Sequence, residues 1–158
     1  MKILGIGVDI IQNNRIKNSI KNLKFRDRIY STNELKLSAS SKNKIRTSLF
    51  INPSIRDIRM SKELNADCIE IHTGKISNLV KSKKRYNVEL DRIKKCSKLA
   101  KKLNLEVHAG HGLDYKTTKI LCKIKEIKEF NIGHFIIGES IFFGLSSVIK
   151  NFKKIIKN

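Results

Sequence analysis

Short β-branched runs alternate with segments of helical apolar spacing over the last two thirds of the chain, and few folds accommodate that order. Ser48-Leu49-Phe50-Ile51, Cys68-Ile69-Glu70-Ile71, Leu105-Glu106-Val107-His108 and Glu129-Phe130-Asn131-Ile132 read as strands. Between the first two, Asn52-Pro53 starts a helix that runs through Ile55, Ile58 and Met60 to Leu64, Pro53 fitting the first turn. A basic loop, Lys81-Ser82-Lys83-Lys84-Arg85, precedes a long helix from about Val88 to Leu103. Another helix covers about Tyr115 to Lys123, and after Gly133-His134 the chain reads as helical to its end. Four βα units in succession imply an α/β fold with a parallel sheet and right-handed crossovers.

The first 46 residues form a separate piece. Ile3 to Ile11 is a β-branched run that reads as a buried strand. Asn13 or Asn14 can cap a helix whose apolar positions are Ile16, Ile20 and Leu23, and a short helical segment follows around Phe25–Ile29. Ser38 to Lys44 is small and polar, and reads as a linker. The expected division is residues 1–46 and 47–158.

With 158 residues, 40% hydrophobic and 30% charged, the chain suits one ordinary domain or two very small ones. No apolar run reaches the roughly 18 residues of a membrane span. The N-terminus lacks the pattern of a signal peptide, so a cytoplasmic location is expected. The net charge of +20 raises the alternative of a non-catalytic basic module for polyanions. Yet residues 1–46 carry 11 basic and 3 acidic side chains, so the excess is spread along the chain. Trp is absent and aromatics are 6%, which leaves few platforms for stacking bases; nucleic-acid binding is not favoured. Cys68, Cys96 and Cys122 lie far apart without a CxxC pair, as expected of buried free thiols and not of a zinc clip.

In a parallel α/β fold, ligands sit at the carboxyl ends of the strands. The distinctive residues fall there. Glu70 is followed by His72-Thr73-Gly74, the third strand by Gly110-His111-Gly112, and the fourth by Gly133-His134. Glycine after a strand lets a phosphate approach backbone amides, although Gly74 reads better as a turn residue. Two Gly/His loops in succession point to a phosphorylated small molecule. His111 is a candidate acid or base because imidazole titrates near neutral pH. Glu70 alone reads more readily as an outward-facing or paired acid, and His108 reads as structural.

Residues 47–158 resemble the C-terminal half of pyridoxine 5'-phosphate synthase. The likeness rests on Ser48 to Ile51, Ile69-Glu70-Ile71-His72-Thr73-Gly74, Ala109-Gly110-His111-Gly112-Leu113 and Asn131-Ile132-Gly133-His134, in the family's order and spacing. It implies part of a (β/α)8 TIM barrel, of about four C-terminal units, from a cytoplasmic and usually octameric enzyme that needs no cofactor. That enzyme condenses 3-amino-2-oxopropyl phosphate with 1-deoxy-D-xylulose 5-phosphate. By motif, His111 is the implied proton donor in ring closure, and Glu70 the acid that stabilises charge in the transition state. Gly112, Gly133 and His134 hold the aminoketone phosphate. His108 departs from the family's usual Asn, which bears on hydrogen bonding to His111. The family's two proton acceptors lie in the first half of its barrel, and no segment here matches those motifs.

Residues 1–46 resemble instead the N-terminus of holo-acyl-carrier-protein synthase, through Leu4 to Ile11, Arg15-Ile16, Arg28-Ile29-Tyr30 and Glu34-Leu35. That likeness implies Asp9 as a ligand for Mg²⁺, which binds the coenzyme A diphosphate in a phosphopantetheinyl transferase. The lysine–glutamate–alanine motif that carries its second metal acid does not occur here. Leu4-Gly5, Asp9 and Arg15 also resemble, more loosely, the first barrel strand of pyridoxine 5'-phosphate synthase. The expectation is a fusion of two truncated genes.

Overall fold

The computed structural model describes residues 5–9, as backbone, and residues 46–157 with their side chains. The helices expected around residues 13–29 and the linker at Ser38–Lys44 lie outside the described residues. Among the described residues, β1 (Gly5–Asp9), β2 (Arg46–Ile51), β3 (Cys68–His72), β4 (Glu106–Gly110) and β5 (Ile127–Asn131) form one sheet in that order. Every neighbouring pair is parallel. Among the described strands none is skipped, so the sheet winds in one direction, as a sector of a TIM barrel does, and lacks the reversal of a doubly wound sheet.

Six helices accompany the strands: α1 (Ile55–Glu63), α2 (Gly74–Lys81), α3 (Asn87–Lys102), α4 (Tyr115–Leu121), α5 (His134–Phe143) and α6 (Leu145–Lys157). The core lies between them and one face of the sheet. Leu49 and Ile51 of β2, Ile69 and Ile71 of β3, and Val107 and Ala109 of β4 meet Ile58 of α1, Ile76 of α2, Ile93 of α3 and Leu121 of α4. Alternation then sends the intervening residues of each strand to the opposite face, the interior of the barrel sector. Polar and ionisable groups are concentrated there.

Several boundaries differ from the sequence reading, each for a local reason. Pro53 does not open α1; Ser54 caps it, accepting a hydrogen bond from the Asp57 amide at 3.4 Å, and Pro53 stands outside the helix. Helix α2 occupies a stretch left unassigned, because its apolar positions are only Ile76, Leu79 and Val80 and a glycine begins it. The C-terminal helix is broken at Gly144, whose φ of 76° and ψ of 140° leave the helical region. Asn65 (φ 55°) and Asn104 (φ 57°) follow α1 and α3 in the left-handed conformation that asparagine tolerates.

Rings tie the later helices together. Tyr115 of α4 lies 4.9 Å from Phe135 of α5 and 4.6 Å from Phe152 of α6, centroid to centroid. This cluster fixes the beginning of α5 against α4, and so places the loop after β5 beside the loop after β4. In contrast, the rest of α5 buries no residue, and Ile137, Ile141, Phe142 and Phe143 are all exposed. Of the cysteines, Cys68 and Cys96 are buried, and burial pushes both thiols up; Cys122 is only partly buried, against the expectation.

Candidate active site

Strand register assembles the polar face. Phe50 pairs with Glu70, Glu70 with His108, and His108 with Glu129 across β2 to β5. Nearer the carboxyl ends, His72 pairs with Gly110, and Gly110 with Asn131. The register slips between Val107 and His108, which brings Glu129 and Asn131 onto the same face as His108 and Gly110. In β1, Asp9 stands at the register position beside Phe50.

Glu70 is half-buried, with Asn131 and Gly110 among its neighbours. Asn131 donates from Nδ2 to Glu70 Oε2 at 2.7 Å. The carboxylate lies across the Cα of Gly110, where any added Cβ would collide with Oε1. Gly110, read in the sequence as part of a loop, is therefore the last residue of β4, and its missing side chain is the space that Glu70 fills.

His111 begins the loop after β4 with φ at 77°, a conformation that costs a non-glycine residue about 1–3 kcal/mol unless its surroundings enforce it. They do. The fully buried Thr73 places its hydroxyl 2.7 Å from the Gly110 carbonyl and 2.8 Å from that of His111, while its amide donates to Gly110 O at 2.8 Å. The imidazole of His72 stacks on that of His111, with centroids 4.5 Å apart and planes inclined by 29°. Phe50 meets His72 edge-on at 5.3 Å. Gly74 leaves room for both imidazoles, since a Cβ there would lie 2.7 Å from His72 Cε1 and 2.9 Å from His111 Cδ2. Gly74 is thus the first residue of α2 and makes space for the stack, rather than serving as a simple turn.

A cavity of about 490 Å³ opens between the loops after β4 and β5. His111, Gly112, Asn131, Gly133 and His134 line it, with Lys81 at the end of α2. Gly133 caps α5, so unpaired amides of the first turn, and the positive end of the helix dipole, belong to its wall. Among the described residues, an added Cβ at Gly133 would meet nothing within 4 Å. Gly112 has φ at 74°, and its Cα packs close to Ser77 of α2. A smaller hollow of about 420 Å³ lies on the other side of His111, against His72, Lys75 and Asn78.

Four of the residues read from sequence (His111, Gly112, Gly133 and His134) therefore converge on one cavity, and Glu70 reaches its wall through Asn131. His108 turns away from the His111 loop. Its Nε2 lies 2.8 Å from Glu106 Oε1, and its Nδ1 is 3.8 Å from Glu129. Hydrogen bonds from His108 and then Arg46 hold the Glu106 carboxyl below its usual range. Asp9 is described only as backbone, so its expected Mg²⁺ ligation lies outside what the structure describes. Among the described residues, no three His, Cys, Asp or Glu side chains converge as a metal set. Sequence reasoning missed Thr73 and Asn131. Both stand in the motif segments without a role of their own: a threonine before a helix signals a cap, whereas the Thr73 side chain makes no cap hydrogen bond, and the pairing of Asn131 with Glu70 has no local signal.

Comparison with known proteins gives the family. The family model described as pyridoxal phosphate biosynthesis protein PdxJ matches residues 27–158. The chain is 65% identical over 119 residues to the pyridoxine 5'-phosphate synthase of Pelagibacter ubique, covering 75% of this chain and 50% of that protein. Its likeness to the synthase of Zymomonas mobilis is 51% over 109 residues, or 69% of this chain and 42% of the relative. For the synthase of a Sulfurihydrogenibium species it is 49% over 114 residues, or 72% and 46%. The chain spans about half the length of the curated relatives it matches. The family match begins at residue 27, within the segment read as carrier-protein synthase, and none of these relatives supports that reading.

Proposed function

Because this chain belongs to the PdxJ family of pyridoxal phosphate biosynthesis proteins, we propose that it carries the second-half share of a pyridoxine 5'-phosphate synthase site. The reaction is the condensation of 3-amino-2-oxopropyl phosphate with 1-deoxy-D-xylulose 5-phosphate. The observation that carries the reading is the convergence of His111, Gly112, Gly133 and His134 on one cavity at the N-terminus of α5. A phosphate dianion accepts hydrogen bonds from backbone amides there, and the helix dipole favours its charge. In this reading the aminoketone phosphate lies on Gly112, Gly133 and His134. The exposed imidazole of His111, held in its strained loop by Thr73, reaches the ring-closing atoms as proton donor. Glu70, oriented by Asn131, offers a fixed negative charge to the positive charge that develops during condensation. Proton transfer of this kind calls for no cofactor. The two proton acceptors come from outside residues 46–157.

Self-association belongs to the same reading. It is supported by the exposed apolar residues of α5, which gain from being covered. Sedimentation that stays monomeric at all concentrations would argue against it. The division at residue 46, with a carrier-protein synthase segment holding Mg²⁺ through Asp9, is a second reading that rests on motif residues alone. The parallel pairing of β1 with β2 favours instead a barrel strand in that position.

The direct test supplies both substrates to the purified chain and follows pyridoxine 5'-phosphate. Where the missing acceptors are supplied, by residues 1–45 or by a second copy of the chain, the expected result is turnover that His111→Ala lowers at least a hundredfold, the scale of general acid catalysis. Turnover unaffected by that substitution would remove His111 from the role.

A further inference from the structure

We infer that Lys81 is an additional phosphate-binding residue of this cavity, supplying the cationic contact that the glycine loops cannot. The inference rests on the proposed phosphate site and extends it. Gly112 packs on Ser77, for an added Cβ would lie 3.3 Å from Ser77 Cβ. Ser77 and Lys81 are four residues apart in α2 and so share one face of the helix. The turn that touches the Gly112 loop is therefore followed by the turn that carries Lys81 to the cavity wall, where Lys81 lies among the lining residues.

Charge supports the placement. Among the described residues that line this cavity, none is a carboxylate. Lys75, on the same helix, is engaged by the buried Glu89 at 3.1 Å. Among the described residues, no carboxylate pairs with Lys81. Its ammonium is thus available to an anion, opposite the amides at the start of α5. A lysine in the last turn also suits the C-terminal end of the α2 dipole, which predicts a contribution to stability but none to ligand affinity.

Calorimetric titration with inorganic phosphate separates these roles. The native chain is expected to bind phosphate, Lys81→Ala to bind it roughly tenfold more weakly, and Lys81→Arg to bind it nearly as well as native. The difference between native and Lys81→Ala should shrink as salt is raised. Native binding that Lys81→Ala leaves unchanged overturns this inference and leaves the proposed site standing. A native chain that does not bind phosphate overturns both.

Discussion

The Thr73 hydroxyl holds two successive carbonyls, those of Gly110 and His111, at the point where the backbone enters a conformation unfavourable for histidine. Replacing it with valine keeps the shape and removes both contacts, leaving the Gly110 carbonyl to the Thr73 amide and depriving the part-buried His111 carbonyl of this donor. Thr73→Val should cost roughly 1–3 kcal/mol in urea unfolding, and Thr73→Ser should recover most of that. Equal stability of the valine and serine variants would show that packing alone holds the loop. Lower on the same face, Glu106 accepts from His108 at 2.8 Å and pairs with Arg46 at 2.9 Å. Its depressed folded pKa means that its stabilising effect is present above the ordinary carboxylate range and is lost as pH falls through the depressed value. Because the side chain is 40% exposed, screening keeps the effect below about 1 kcal/mol. Glu106→Gln should therefore be less stable than native near neutral pH and converge with it in acid; a gap that widened in acid would contradict the assignment.

At the scale of elements, the break between α5 and α6 sets where the apolar helix ends. Gly144 lies at φ 76° and ψ 140°, a region close to one that only glycine occupies readily. Gly144→Ala should destabilise by about 1–3 kcal/mol, and a neutral effect in thermal unfolding would mean that the two helices merge without cost. The sequence showed helical periodicity on both sides, but the apolar character of α5 extends round the whole helix and hid the interruption. Strand β2 was legible as the apolar run Leu49-Phe50-Ile51, and β3 and β4 were legible because Ile69, Ile71 and Val107 alternate with Glu70, Glu106 and His108. Helix α2 was not, since eight residues with a glycine at the start give too little periodicity. The site was legible in its glycines and histidines, which follow strands directly. What joins them was not: the stack of His72 on His111, the Glu70 carboxylate over Gly110, and the Asn131 hydrogen bond all depend on register between strands about 40 to 60 residues apart.

For the whole molecule, sequential parallel pairing places the ends of β3, β4 and β5 side by side, and the aromatic cluster of Tyr115, Phe135 and Phe152 fixes the N-terminus of α5 beside them. In the proposed reading, phosphate recognition, acid catalysis and charge stabilisation are then properties of one end of one sheet. The account stands on that shared location more than on any single residue. Titration of the isotopically labelled chain with 3-amino-2-oxopropyl phosphate, followed through backbone amide NMR signals, tests it most directly. The account predicts saturable shifts concentrated at Gly112, Gly133 and His134, with the side-chain amide of Asn131 moving as well. Signals at those positions that stay unmoved while the chain remains folded would contradict it.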